Sequence, residues 1–148
     1  MTRAVRPEPS PVIGEIDGIE IEVAGVVIWP AELEVRFACR PNDRTRQTDI
    51  DYASAVADWH ARRERVSDED FPENPTAALF RDRRPALTDD LSTLYSWDSG
   101  GGWGWDGDHG IRWGTSHTFR PSPPPNATWL DIALALDPGQ MGTTRVLL

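Results

Sequence analysis

The chain has 148 residues, the size of one ordinary domain, and its seven tryptophans can bury large areas when they lie inside a core. Its formal net charge of −9 repels a phosphate backbone, and the short cluster of Arg62, Arg63 and Arg65 is the strongest basic patch. Nucleic acid is therefore a disfavoured partner. The basic residues are all arginines, which excludes Schiff-base chemistry, P-loop phosphate binding and a lysine base.

The N-terminal region and the cysteine content predict a cytoplasmic protein without a membrane segment. Cys39 is the only cysteine of the sequence, so no internal disulfide can form. The first residues have no apolar run of signal-peptide length, and no other stretch approaches the length of a membrane span. We expect residues 1–12 to form a disordered Pro-rich arm and residues 13–148 to form a single domain.

Short segments of alternating polarity predict a mainly β fold. Residues 19–29 and 33–39 are predicted as two antiparallel strands joined at Pro30, and Asp17 and Gly18 could form a tight turn before them. Later extended segments are predicted in "ALFRDRRPALTDDLSTLYSW" around the turn "TDDLS", and further strands in "HGIRWGTSHTF", "TWLDIALAL" and "TRVLL". About seven strands with one helical insertion predict an immunoglobulin-like antiparallel β-sandwich.

The helical insertion is predicted at residues 49–66, in "DIDYASAVADWHARRERV". Thr48 or Asp49 can cap it. An apolar stripe at spacings i, i+4 and i+7 is formed by Tyr52, Val56 and Trp59. The stripe is expected to pack on a sheet, and a groove for a partner is the alternative.

Four segments carry a resemblance to known proteins: "AELEVRFACR", "LTDDLSTLY", the Gly-rich "SGGGWGWDG" and "FRPSPPPNATWLDIAL". In this order they resemble a group of uncharacterised bacterial, mostly actinobacterial, β-sandwich proteins. The likeness covers roughly residues 19–40 and 85–148, and the predicted helix looks like an insertion relative to that pattern. The resemblance implies a β-sandwich fold and brings no activity, cofactor or site residue with it.

The segment 97–113, "WDSGGGWGWDGDHGIRW", predicts a hairpin with a glycine loop at its tip. Trp97 and Trp113 flank this loop and are expected in the core. Trp103 and Trp105 alternate with glycine and would point the same way if the segment is extended. They either pack locally on the sheet or form a ligand surface. In the second case the tentative surface consists of Trp103, Trp105, Asp106 and Asp108.

The same loop resembles metal motifs only in part. "GGWGWD" matches the first six positions of a calcium-binding nonapeptide, but Asp108 stands where an apolar residue belongs and there is no second repeat. An EF-hand beginning at Asp106 would have His117 where it needs glutamate. The weak candidate ligands for any metal are Asp106, Asp108, His109 and His117. We therefore predict no metal and no cofactor.

No catalytic signature stands out, since the chain has no Gly-x-Ser-x-Gly elbow and no obvious pair of catalytic carboxylates. The sequence thus favours a non-catalytic protein-interaction or structural protein with a protein partner, and exposed sheet edges would also permit a homo-oligomer. One alternative is a carbohydrate-binding module that uses Trp103 and Trp105. The other is a metal-dependent hydrolase that uses Asp106, Asp108, His109 and His117.

Overall fold

The protein is mainly β in its computed structural model, which describes residues 2–62, 70–107 and 110–148, and the side chains of residues 103–112 lie outside the description. The strands of the described part are β1 (Arg3–Val5), β2 (Val12–Ile16), β3 (Ile19–Ile28), β4 (Leu33–Cys39), β5 (Ala86–Asp89), β6 (Ser96–Gly107), β7 (Gly110–Arg120), β8 (Trp129–Ala135) and β9 (Met141–Leu147). Two helices, α1 (Asp43–Arg62) and α2 (Pro75–Leu79), lie between β4 and β5.

Every strand pairing in the described residues is antiparallel, and the strands form two sheets. The larger sheet has the order β1-β3-β4-β7-β6, with β2 also pairing with β3, and the smaller sheet has the order β5-β8-β9. Both sheets contribute side chains to one apolar core. Its largest fully buried members are Phe37, Phe119, Ile16, Ile21, Leu33, Leu130, Ile132, Leu134, Val23, Val26, Val35 and Val146. The predicted mainly β, antiparallel fold is confirmed.

The first hairpins of the larger sheet agree with the sequence pattern. Asp17 and Gly18 have positive φ angles of 51° and 79°, the conformation that a two-residue turn between right-twisted strands requires. The predicted strand pair on either side of Pro30 is β3 and β4, in which Ile28 lies opposite Leu33. In β4 the apolar positions face the core because the side-chain period of a strand is two. In β3 a register shift between Val23 and Gly25 breaks this period, and Val26 and Ile28 continue the buried face beyond it.

The N-terminal arm differs from the prediction, because part of residues 1–12 belongs to a sheet. Strand β1 pairs with the end of β3, with Val5 opposite Val26, and β2 pairs with the beginning of the same strand. Ten residues of β3 therefore offer one edge to two short strands. A three-residue strand followed by a Pro-rich segment has too few positions for alternation to be visible, so the sequence pattern missed it.

Helix α1 begins at Asp43, six residues before the predicted start. Its cap is Asn42, whose side-chain oxygen accepts a hydrogen bond from the Thr45 amide at 2.9 Å, while the Thr45 hydroxyl accepts from the Asn42 amide at 2.8 Å. This reciprocal arrangement satisfies backbone groups that a helix start otherwise leaves without partners. The proposed caps Thr48 and Asp49 are thus interior helix residues.

Helix α2 was not predicted from the sequence, and its end falls in residues 78–97, which were wrongly predicted to be extended from their first residue. Its cap is Asn74, whose side-chain oxygen accepts from the Thr76 amide at 2.8 Å, and Pro75 occupies the first helical turn. Five residues are too short to show a helical period, although the Asn-Pro start was visible. The helix packs against β6 and β7.

The predicted glycine loop at residues 97–113 is largely a strand ladder. Strand β6 continues through residues 100–102 to Gly107 and pairs along its length with β7. Glycine disfavours a strand only weakly, and the neighbouring strand provides the backbone partners that override this preference. No helix in the described ranges has the length and apolar character needed to cross a membrane.

The capping arrangement of α1 predicts a stability effect. Asn42→Ala removes the side-chain acceptor for Thr45 and also the hydrogen bond that the Asn42 amide group donates to the Gly18 carbonyl at 2.9 Å. We expect the free energy of unfolding to fall by about 1–2 kcal/mol in urea denaturation. The control Gln47→Ala removes an exposed helix-surface hydrogen bond and should cost less than about 0.5 kcal/mol. Equal losses in the two variants would contradict the assigned cap.

Candidate ligand cleft and groove

Two concave surfaces lie on either side of α2. One, here called the cleft, has a volume of about 350 Å³. It is lined by Thr76, Ala77, Phe80, Asp82, Arg83, Arg84, Trp97, Gly100, Gly101, Gly102, Thr115 and His117. The other, here called the groove, has a volume of about 470 Å³. It is lined by Asp49, Tyr52, Ala53, Val56, Ala57, His60, Asn74, Pro75, Thr76 and Trp113. Thr76 contributes to both surfaces.

A chain of hydrogen bonds forms one wall of the cleft. The Trp97 indole donates from Nε1 to His117 Nδ1 at 3.0 Å, and the Thr115 hydroxyl donates to the Gly101 carbonyl at 3.0 Å. Because the indole can only donate, Nδ1 must carry the lone pair and the proton of His117 must lie on Nε2. Nε2 then donates to Thr115 Oγ1 at 3.3 Å. Each hydrogen-bond donor among these three side chains thus has an acceptor.

These hydrogen bonds and the burial of the ring keep the His117 imidazole neutral. The side chain is 6% exposed, and burial lowers its pKa to about 4. A proton on Nδ1 would face the Trp97 N–H, so the geometry disfavours the charged ring as well. Both ring nitrogens are occupied by hydrogen bonds within the protein. His117 is therefore a structural residue and does not present a lone pair to a metal ion.

The glycines of β6 make this packing possible. A Cβ on Gly100 would lie 2.7 Å from His117 Nδ1, closer than real contacts allow, so a larger residue would displace the imidazole. A Cβ on Gly102 would lie 3.1 Å from a side-chain carbon of Thr76, so this glycine provides room for α2. Gly100 and Gly102 lie opposite His117 and Thr115 in the strand register. These two glycines are thus explained by close packing.

The opposite wall of the cleft carries two guanidinium groups. The Arg84 guanidinium stacks on the Trp97 ring, with its central carbon 4.0 Å from the ring centroid. The Arg83 side chain donates to the Leu79 carbonyl at 3.0 Å and to the Ala135 carbonyl at 3.2 Å. Asp82 also lines the cleft, so its charged lining residues comprise two arginines and one carboxylate.

The groove is formed where α1 meets α2 and the sheet. Its floor includes Trp113, which is 4% exposed and donates a hydrogen bond from its indole to Asp49 Oδ1 at 2.7 Å. Burial raises the pKa of Asp49, and this hydrogen bond opposes the increase. Tyr52 and Val56 line the α1 side. Of the predicted stripe, Tyr52 and Val56 thus line the groove beside α2, whereas Trp59 packs against Phe71 with ring centroids 5.0 Å apart, so the stripe does not pack on a sheet as predicted. The expected burial of Trp113 is confirmed, and Trp97 is only half-buried.

The side chains of all four predicted ligand-surface residues lie outside the description. In the backbone register Trp103 lies opposite Gly114, Trp105 opposite Arg112 and Asp106 opposite Ile111. Asp108 and His109 lie outside the described residues altogether. Within the described part of the chain, no three His, Cys, Asp or Glu side chains form a group that could hold a metal.

The sequence analysis missed Arg83 and Arg84 as candidate binding residues. The run "FRDRRP" was a visible signal, because it concentrates arginine in an acidic chain. The sequence pattern could not predict the contact between Arg84, which precedes β5 in the chain, and Trp97, which lies at the start of β6. Only the approach of the segment after α2 to strand β6 creates that contact.

Comparisons with known proteins give little further information about these surfaces. No family model and no curated protein matches the chain. A solved structure described as "the crystal structure of the conserved domain protein from Bacillus anthracis" is similar over the whole chain, with 16% identity and a TM-score of 0.37. The chain spans 48% of the length of that protein.

The buried state of His117 predicts a pH dependence of stability. Its folded pKa of about 4 lies below the ordinary value of 6.5, so the unfolded chain binds a proton between these pH values and the folded chain does not. The contribution of His117 to stability is therefore complete above pH 6.5 and falls as the pH approaches 4, by up to roughly 3 kcal/mol.

The measurement compares urea unfolding of the wild type and His117→Gln at several pH values across this window. Carboxylates contribute to the pH dependence of both proteins, so the difference between them isolates the histidine. We expect the wild type to lose more stability than the variant as the pH falls, and His60→Gln, at an exposed position, to follow the wild type. Parallel curves for the wild type and His117→Gln would contradict the assignment.

Proposed function

We propose that the protein is a non-catalytic interaction protein with an immunoglobulin-like β-sandwich architecture, and that it binds a protein partner in the groove. The observation that carries this proposal is the position of α1. The helix has twenty residues, yet Thr45 is its one buried residue, and its apolar side chains Tyr52 and Val56 line an open surface. The two antiparallel sheets with a shared core support the sandwich architecture.

The energetics of an exposed helix support a binding role for α1. Most helical stability in proteins comes from packing an amphipathic face, and helices that bury little are only marginally stable. Helix α1 is fixed near its start by Thr45 and by the bond between Asp49 and Trp113. Among the described residues, Tyr52 and Val56 are only half-buried and line the groove, so a chain that enters the groove would add contacts to both side chains. A partner would complete this packing.

The charge of the chain indicates the chemistry of that partner. With a net charge of −9, the protein attracts basic surfaces over several ångströms and repels acidic ones. The groove itself is mainly apolar, with Val56, Pro75 and Trp113 among its lining residues. We therefore infer a partner segment that inserts apolar side chains and carries basic residues beside them, an arrangement typical of amphipathic helices bound in grooves.

The alternative functions receive less support. A metal-dependent hydrolase would lose His117 from its predicted ligands, because both nitrogens of that ring already have partners. A carbohydrate-binding module depends on Trp103 and Trp105, whose side chains lie outside the described residues, so it stays a prediction. The resemblance to actinobacterial β-sandwich proteins, the cytoplasmic location and the option of a homo-oligomer stay predictions as well.

The groove predicts which substitutions abolish partner binding. Val56→Asp places a carboxylate in the apolar surface and should reduce the capture of a specific partner from lysate of the source organism by about tenfold or more. The matched control Ala55→Asp adds the same charge at the next, exposed helix position and should retain the partner. Circular dichroism should show the same unfolding transition for both variants.

Two outcomes would count against the groove proposal. If Val56→Asp captures the same proteins as the wild type, the groove is not the binding surface. If both aspartate variants lose the partner equally, the effect is due to charge and not to the groove. Size-exclusion chromatography of the purified proteins identifies the case in which the partner is a second copy of the chain.

A further inference from the structure

Two arginine–tryptophan stacks among the described side chains differ in one respect. Arg145 stacks on Trp129, with its central carbon 3.7 Å from the ring centroid, and donates to both carboxylate oxygens of Asp131 at 2.7 and 2.9 Å. Arg84 stacks on Trp97 at 4.0 Å. Among the described residues, no ion pair joins Arg84 to a carboxylate. The second stack thus lacks the anion that the first one holds.

Stacking leaves the binding capacity of a guanidinium group intact. The ring of Trp97 covers one face of the Arg84 guanidinium group. The N–H donors of the guanidinium lie in the plane of that group and point outward. Those donors match the two oxygens of a carboxylate, as Arg145 and Asp131 demonstrate in the same molecule. The aromatic ring also fixes the orientation of the donors, which reduces the entropy lost when an anion binds.

The surroundings of Arg84 suit a small anionic group. Arg83 also lines the cleft, and its guanidinium group donates to the Leu79 and Ala135 carbonyls, so a second positive charge lies near Arg84. Gly101 also lines the cleft, and an added Cβ there would meet nothing within 4 Å, so the backbone of β6 is accessible at this residue. The volume of about 350 Å³ is at the lower end of the range for ligand pockets. Asp82 offsets one of the two positive charges.

We propose that the cleft is a binding site for a carboxylate, in which Arg84, held by stacking on Trp97, forms a bidentate pair with the ligand. The site is separate from the groove, which lies on the other side of α2, and its function goes beyond the proposed partner binding. The carboxylate can belong to a free small acid or to the C-terminus of a peptide chain. These two sources share the chemistry that Arg84 recognises, and the experiment separates them.

The test is a titration of the isotope-labelled full chain followed by NMR. The probes are succinate, N-acetyl-triglycine, the amide of N-acetyl-triglycine and inorganic phosphate, with sodium chloride at matched ionic strength. We expect saturable shifts of the backbone amides of residues 100–102 and of the Trp97 indole N–H. Saturation by succinate identifies a small acid as the source, and saturation by the peptide acid but not by its amide identifies a chain terminus.

Two variants connect the binding to Arg84. Arg84→Gln removes the charge and the fork of donors and should weaken binding of the active probe by about tenfold or more. Arg145→Gln removes the equivalent group of the stack that already has its carboxylate, and should leave binding unchanged. Val56→Asp in the groove should also leave it unchanged, so failure of the groove proposal and failure of this one are distinguishable.

Four results would overturn the proposal. They are the absence of saturable shifts with both acids, equal shifts with chloride, tighter binding of inorganic phosphate than of either carboxylate, and unchanged affinity in Arg84→Gln. Thermal unfolding of Arg84→Gln at the wild-type temperature shows that a loss of binding is not a loss of fold. This control is informative because Arg84 is exposed.

Discussion

The cleft depends on the absence of a side chain at Gly100. Because no Cβ stands there, the His117 ring can lie against β6, where its Nδ1 accepts the hydrogen bond from Trp97. That bond fixes the indole plane on which Arg84 stacks, while the other nitrogen of His117 connects to Thr115 and through it to the backbone of β6. One missing methyl group thus determines the protonation state of a histidine, the position of an indole and the orientation of a guanidinium group.

Helix α2 separates two surfaces of different chemistry. On one side, Trp113 and the apolar side chains of α1 form the groove, with Asp49 as the polar anchor. On the other side lie the arginines and glycines of the cleft. Helix α2 has only five residues and begins at the Asn74 cap. It packs closely on β6 because Gly102 has no side chain at the position that Thr76 approaches. The same close approach of helix and glycine strand therefore shapes both surfaces.

Several elements could be predicted because their determinants are local. Alternating polarity predicted β3, β4, β7 and β8, because successive side chains of a strand point to opposite faces. The Asp17-Gly18 pair predicted its turn, because positive φ angles favour these residue types. The start of α1 was wrong by six residues, because Asn42 and Thr45 cap each other in a segment that reads as a polar loop. The glycines of β6 were read as a loop because their strand conformation depends on pairing with β7.

The candidate binding residues likewise divide into those that a local pattern predicts and those that only long-range contacts create. The sequence by itself determined the acidic charge, the exclusion of lysine chemistry, the antiparallel β architecture and the apolar stripe on α1, because these follow from composition and from periods of two or 3.6 residues. Only the tertiary structure decided that His117 is a neutral buried residue, that α1 borders a groove, and that Arg84 meets Trp97 across β5. The physical reason is that each of these depends on a contact between residues far apart in the chain, and no local pattern records which distant residue a side chain will meet.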